Sequence, residues 1–376
     1  MNHSIRIAIV GGGLAGASLI HALVKFPHLD VHIFESAAAF EEAGMAIGIA
    51  RNAQAALELI GSSAAQCLER AGAVPMRGVR FMLAYGETAG SVADEVDDVV
   101  QGKRLTSIVH RADFLQELLA DIPRDRMHTS KKLLKNSGAW FLTTLQPFDK
   151  AQSSLGKELV NIEDAREYGW AGKNAFLTHK ILSGGRLVQF AIASHNEEVT
   201  AGPDHWHRAV GIDEIKKLYQ DWSPYLNKAV NELLCGRPEH KASYLWDHPS
   251  ASSYVSGPIC ITGDAAHSTT PWQGSGDGMS IEDSLILSSL HGRANVPSEA
   301  IMALQVYDQV RRPRTQRIVE SSRVTGAMLT GREEIDQETL RKFMSRWDFI
   351  IDIDMERHRG EAIQLMEAKL KGEIAM

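Results

Sequence analysis

Cysteine is scarce in this chain, with three among 376 residues. Cys67, Cys235 and Cys260 lie far apart and form no C-x-x-C pair, which excludes a disulfide framework and offers no zinc-ligand spacing. Cys260 lies in an apolar strand and reads as a small core residue. No apolar run approaches the ~20 residues that a membrane span needs. Basic residues are not in excess either. A formal net charge of −7 argues against nucleic acid and against an anionic membrane surface as partners. The first strand begins almost at once, leaving no room for a cleavable signal or transit peptide, so the expected compartment is the cytosol. There are no internal repeats and no low-complexity tracts, and nothing sets an oligomeric state. What remains, 44% hydrophobic and 23% charged, is an ordinary globular composition. The length suits two packed layers of structure, or one large domain with an inserted sheet.

The chain opens on its most informative segment. Ile5-Arg-Ile-Ala-Ile-Val10 runs into Gly11-Gly-Gly13-Leu-Ala-Gly16, a strand followed by Gly-x-Gly-x-x-Gly and a helical pattern. Those glycines permit a tight turn, a close backbone approach to a pyrophosphate and close packing of helix on strand. The next helix pairs Leu19 with Leu23 and Ile20 with Val24, and it aims its positive end at the phosphates. A second strand, Val31–Phe34, ends in Glu35, near the ~20-residue spacing expected of the carboxylate that takes ribose hydroxyls. Strand, helix, strand and acid in that order predict a bound adenine dinucleotide. An ordinary glycine-rich turn would leave Glu35 unexplained.

Residues 1–135 read as the first part of the nucleotide-binding domain. Arg51–Ile60 is helical and stops at Gly61, and Ser107–Arg111 leads into a helix over Ala112–Leu119. The acid-rich stretch Ser91–Val100 reads as a solvated edge or loop. Residues 136–250 are richer in aromatics and strand-like runs and read as a sheet domain. Val188, Phe190 and Ile192 alternate on one strand face, and Ser183-Gly-Gly185 pairs that strand with Ala175–His179 as a hairpin. Gly211–Leu234 reads as helical. Residues 251–330 read as the second part of the nucleotide domain, and 331–376 as C-terminal helices. The fold class is α/β with an α+β insert: a Rossmann-like domain, a β-sheet substrate domain and helices at the end.

A second landmark lies in 251–330. Strand Ile259–Thr262 enters Gly263-Asp264-Ala-Ala-His267, then Pro271-Trp-Gln-Gly274-Ser-Gly276-Asp-Gly278-Met279, then a helix bearing Glu282-Asp283. This segment resembles the second FAD motif of the single-component aromatic-ring flavoprotein monooxygenases, of the para-hydroxybenzoate hydroxylase and salicylate hydroxylase type. His110-Arg111-Ala-Asp-Phe-Leu, Asp221-Trp222-Ser-Pro, Ser321–Gly326 and Arg346–Asp352 are similar to the fungal salicylate-hydroxylase-like branch, in the family's order.

The resemblance implies FAD as cofactor, with NAD(P)H as a transient co-substrate. It implies hydroxylation of a phenolic or polyketide-like aromatic substrate by O2 through a C4a-hydroperoxyflavin. Gly11, Gly13, Gly16 and Glu35 would hold the dinucleotide end, and Arg111 would pair with a pyrophosphate or adenosine-side oxygen. Arg51 would also contact the cofactor. Asp264 would accept from the ribityl chain, and Pro271, Gly274, Gly276, Gly278 and Met279 would lie along the flavin ring. For each arginine a surface salt bridge is the plain alternative. The hairpin is expected to floor the substrate pocket, which makes His179 and Gln189 candidates to touch a substrate oxygen. His267 is expected to shape its turn rather than to take protons.

One departure from the family pattern stands out. Family members carry a strand pair and a Gly-Ala-Asp-Gly motif between the regions that here abut near Lys135 and Asn136, so several dozen residues are missing. Two other readings therefore stay open: a catalytically silent flavoprotein-like binding protein, and a flavin-dependent oxidase or reductase.

Overall fold

The computed structural model describes residues 5–40, 46–84, 89–129, 140–172, 175–194, 207–236, 239–243, 245, 249–330 and 342–372. Its first unit is the βαβ predicted from the opening motif. Strand β1 (Ile5–Val10) pairs in parallel with β2 (Leu29–Phe34), from Ile5↔Leu29 to Val10↔Phe34. Helix α1 (Leu14–Leu23) makes the crossover. A Cβ on Gly16 would lie 1.9 Å from the Gly11 carbonyl oxygen, so only glycine lets α1 seat on the end of β1. Beyond β2 comes the short β8 (Met127–His128), completing a three-stranded parallel sheet in the order β1-β2-β8.

A second sheet lies beside it, in which β7 (Thr106–His110) pairs antiparallel with β3 (Ala46–Ile49) and β4 (Val74–Met76). Helices α2 (Arg51–Ile60), α3 (Ser62–Arg70) and α4 (Arg111–Leu119) join α1 in the core of this domain.

The largest sheet has eight strands in the order β13-β14-β9-β12-β11-β10-β5-β6. They are β5 (Gly78–Leu83), β6 (Val92–Asp97), β9 (Trp140–Pro147), β10 (Glu167–Gly172), β11 (Ala175–Leu182), β12 (Leu187–Ser194), β13 (His207–Gly211) and β14 (Glu239–Ser243). Strand alternation gives the sheet two distinct faces. Leu177, Val188, Phe190 and Ile192 pack with residues of α5 (Phe148–Leu155), α6 (Ile212–Tyr219) and α7 (Pro224–Leu234) in one core. The expected single helical stretch 211–234 is two helices, because Ser223-Pro224 starts a new one. The opposite face meets the nucleotide domain: Phe176 stacks edge-on against Trp272 at 5.8 Å, and Gln189 accepts a hydrogen bond from the Ala46 amide.

The chain then returns through a hairpin of β15 (Val255–Ser256) and β16 (Ile259–Cys260). A single turn α8 (Asp264–His267) leads to α9 (Gly276–His291) and the 33-residue α10 (Pro297–Leu329). Helix α9 packs against α1, α2 and α10, and the Ser18 and Ser284 hydroxyls share a hydrogen bond of 2.7 Å. Helix Met355–Leu370 closes this side.

One sequence expectation shifts: residues 78–97, assigned to the nucleotide domain, form β5 and β6 of the large sheet. Of the two readings of the acid-rich stretch from Ser91, the structure has the edge, since β6 is the last strand of that sheet. The expected boundary near residue 135 and the short segment around it lie outside the described residues.

One property of β1 is unusual for a Rossmann unit, where strand 1 is flanked on both sides in the order 3-2-1-4. Among the described residues β1 pairs only with β2. The Ile5 and Gly11 amides donate to His28 and Phe34 across that pair, so in parallel geometry the amides of Arg6, Ala8 and Val10 point to the other edge. Val10 is 69% exposed and Ile259 is 67% exposed. Hydrogen exchange resolved to single amides is therefore expected to be fast at Arg6, Ala8 and Val10 and slow at Ile7 and Ile9. Equal protection at both sets would show the edge to be covered.

Candidate active site

The two glycine clusters meet. Gly263 adopts φ +59°, and a Cβ there would lie 2.7 Å from that of Ala15 in α1, so the second motif touches the first through backbone. At the β2 end of this line Glu35 accepts from the Gly12 amide at 2.6 Å, from the Ala37 amide at 2.7 Å and from the Ser36 hydroxyl at 2.8 Å. Burial pushes the Glu35 carboxyl up, but those donors outweigh it and hold it below its usual range. At the other end Asp264 opens α8 and is exposed. Arg111 approaches Asp277 at 3.6 Å. Burial pushes the Asp277 carboxyl up, with Arg111 opposing and Asp264 adding to the shift. Glu35 is thus tied to the first glycine turn, while Arg111 and Asp264 both act on Asp277.

The loop between α8 and α9 turns at Pro271–Gln273 and passes through Gly274 in the left-handed region at φ +59°. The ideal Cβ on Gly276 meets only Thr269 within contact range, and that on Gly278 meets Ala53 and Asn52. The Met279 side chain does not join this loop surface. It is buried with Ile318, Val319 and Ile350, and its amide and carbonyl bond Ser275 and Arg311. Arg51 also differs from expectation, because its guanidinium is ion-paired with Asp98 and Asp352, the plain alternative for that residue.

Behind the loop lies a buried charge network that the sequence reading did not anticipate. Arg311 is fully buried and donates to Asp283 at 2.7 Å, lies 2.6 Å from Glu282 and donates to the Met279 carbonyl at 3.2 Å. Asp283 also holds His267 Nε2 at 2.6 Å and the Thr262 hydroxyl at 2.9 Å. Glu282 accepts from Asn52 at 2.7 Å and from two nitrogens of Arg314 at 2.8 and 2.9 Å. Burial alone would raise both carboxyls. For Glu282 the Arg311 and Arg314 charges reverse it to about 2, and for Asp283 His267 and Arg311 hold it far below its usual range. The Glu282-Asp283 pair in the motif was the available signal, but no spacing rule links it to Arg311. His267 does shape its turn, as expected, through Asp283.

The hairpin register separates the two pocket candidates. Gln189 pairs with Lys180, whereas His179 pairs with Phe190, so His179 and Gln189 occupy opposite faces of the sheet. His179 lies in the far core, stacked on Tyr168 at 4.9 Å, accepting from Trp170 Nε1 at Nδ1 and meeting the Leu159 carbonyl at Nε2. Both ring nitrogens are engaged, so His179 is a structural histidine and its candidacy is withdrawn. Gln189 stays on the face toward the nucleotide domain.

Among the described residues no group of three or more His, Cys, Asp or Glu could hold a metal ion, and no helix is long and apolar enough to cross a membrane. An FAD molecule fits the donor set. The close approaches at Gly16 and Gly263 leave backbone as the lining, and Asn52 Oδ1 and Gln273 Oε1 are buried acceptors without a partner beside this loop.

An FAD binding domain family matches residues 215–322. The 6-methylsalicylate 1-monooxygenase of Aspergillus terreus is 28% identical, over 97% of this chain and 93% of that protein. A salicylate hydroxylase of Pseudomonas putida is 25% identical, over 99% and 97%. A solved salicylate hydroxylase substrate complex superposes with a TM-score of 0.80 at 19% identity, covering 96% of this chain and 98% of that one. Motif order, fold and matches along nearly the whole chain make it similar to the salicylate-hydroxylase-like FAD-dependent monooxygenases.

Two measurements follow. An Arg311→Met variant leaves Glu282 and Asp283 short of a cation and is expected to lose roughly 3–5 kcal/mol in denaturant unfolding, whereas Arg312→Ala at the surface loses less than about 1. Burial holds the His179 ring down to about 4 from 6.5. Its neutral form is thus favoured in the fold. That contribution is complete above pH ~6.5 and is lost as pH falls toward 4, on the order of 3 kcal/mol. In His179→Gln the stability profile over that window flattens relative to wild type, although the variant is less stable at pH 7.5.

Proposed function

We propose that this chain is an FAD-dependent monooxygenase that uses NAD(P)H and O2 to hydroxylate a phenolic or polyketide-like aromatic compound. The observation that carries the reading is the contact of the phosphate turn with the second glycine loop at Ala15 and Gly263. It sets a dinucleotide grip and a flavin-ring platform in one line. The names of the relatives, which act on salicylate and 6-methylsalicylate, support a hydroxylated aromatic substrate.

When bound, FAD supplies hydride acceptance from NAD(P)H and activation of O2. The residues of the chain do the rest. Amides of the Gly11–Gly16 turn and the start of α1 hold the pyrophosphate. Glu35 Oε2 accepts from the Gly12 amide and keeps a second lone pair for a ribose hydroxyl, and Asp264 takes the ribityl chain. Arg111 reaches the phosphates once it leaves Asp277. The amides of Gly276 to Gly278, which the first turn of α9 leaves without a helical acceptor, would stabilise negative charge at the adjacent ring edge. The aromatic wall of Phe81, Phe176, Trp272 and Phe343 excludes water at one end of the pocket.

The proposal includes weak cofactor binding, because a segment between His128 and Trp140 is short. The pairing of β1 with β2 alone among the described residues supports this, as does a match to the Aspergillus terreus relative that runs over 422 positions although the chain has 376 residues. Genomic sequence between the codons for Lys135 and Asn136 with an in-frame Gly-Ala-Asp-Gly stretch would identify the lost part.

Reconstitution with FAD is expected to give a yellow protein whose NAD(P)H oxidation is stimulated by a phenol and yields oxygenated product. Gly16→Val abolishes the colour, Arg111→Ala weakens FAD binding about tenfold, and Arg51→Ala changes it less than about threefold. A folded protein that stays colourless overturns the reading.

A further inference from the structure

Asp277 puts an acid inside the glycine loop that the flavin reading makes a cofactor surface. It is the second residue of α9, and its side chain is 23% exposed. The Arg111 guanidinium lies 3.6 Å away and favours the ionised carboxylate, as do the amides at the N-terminus of α9. Burial and the Asp264 carboxylate oppose them. Neighbouring charged side chains are engaged elsewhere. Arg51 at the start of α2 pairs with Asp98 and Asp352. His110 beside Arg111 meets Asp113 at 3.3 Å, and His267 of α8 meets Asp283. Glu282, farther along α9, is held by Arg311 and Arg314. Among the described residues, Arg111 is the cation paired with Asp277.

That same guanidinium is the one expected at the cofactor's phosphates. The diphosphate of FAD is esterified at both ends, so each phosphorus keeps one strongly acidic oxygen and stays anionic near neutral pH. One arginine would then face two phosphates and two carboxylates, those of Asp264 and Asp277. Like charges crowded together favour the neutral form of whichever member can take a proton. The phosphates cannot do so in this range. Asp264 is exposed and keeps its charge in water. Asp277, with burial already against its charge, is the member that can.

We propose that Asp277 competes with the FAD diphosphate for Arg111 and binds a proton when the cofactor takes that arginine. This rests on the monooxygenase reading and adds a proton to its cofactor equilibrium. The carboxylate gains one proton from solvent, one O–H bond forms and no electron moves. The complex then holds one proton more than the separate partners. FAD affinity therefore rises as pH falls, until Asp277 is protonated in the free protein as well.

The test is calorimetric titration of the full chain with FAD at pH 7, in phosphate and in Tris, whose ionisation enthalpies differ. The dependence of the heat on buffer counts protons, and wild type is expected to take up roughly one per FAD bound. Its affinity is expected to be about tenfold higher at pH 6 than at pH 8. Asp277→Asn, which lacks the charge from the start, takes up almost none. It binds FAD about tenfold more tightly than wild type at pH 8, and its affinity varies less than about twofold over this range. Asp113→Asn, which alters the His110 pair instead, keeps the wild-type uptake. The wild-type proton count needs no variant. Binding of FAD without proton uptake, or uptake that persists in Asp277→Asn, overturns the inference and leaves the flavin reading standing. Absence of FAD binding overturns both.

Discussion

Arg311 is the residue on which the arrangement of the site depends. It enters from α10 and satisfies both carboxylates of α9, the carbonyl of Met279 and the ring of His358. Through Asp283 it fixes the turn at Thr262–His267, and through Glu282 it fixes Asn52 at the start of α2. Five segments distant in sequence therefore share one ion cluster, whose Arg311, Glu282 and Asp283 are fully buried. Two buried carboxylates without that cation would each face a desolvation penalty of several kcal/mol. The glycine loop proposed to lie under the flavin ring is thus held from behind by charge.

The large sheet divides its work by parity. One face is filled with apolar side chains and one histidine kept neutral by burial, all committed to helices α5–α7. The other face carries shorter and polar side chains, Thr178, Lys180, Gln189 and Ala191, between two contacts with the nucleotide domain. A slip of one residue in the β11–β12 register would exchange these sets. The turn at Ser183–Gly185 prevents it: Gly184 and Gly185 both have positive φ, and a Cβ on Gly185 would collide with Ile162.

Much of this was legible in the amino acids. The Gly11–Gly16 turn, Glu35, the Ser183–Gly185 hairpin and the Gly263–Met279 loop are local patterns, and the structure joins Glu35 to Gly12 and Gly263 to Ala15. What was not legible depends on pairing across distance. His179 and Gln189 both looked able to face a pocket, because alternation within one strand does not say which residue of the neighbouring strand lies opposite. Register decided it. Likewise Arg51 could have met a phosphate or an acid, and only the fold brings Asp98 and Asp352 to it. The placement of β5 and β6 in the large sheet was hidden for the same reason, since Val79–Leu83 pairs with a strand some ninety residues onward.

Among the described residues β1 has a partner strand on one side only, and its last residue runs directly into the phosphate turn. Ligand that binds only the closed form of such a turn adds RT ln(1 + [L]/Kd) to stability. With FAD held there as proposed, occupancy of the turn and closure of the strand are linked by mass action.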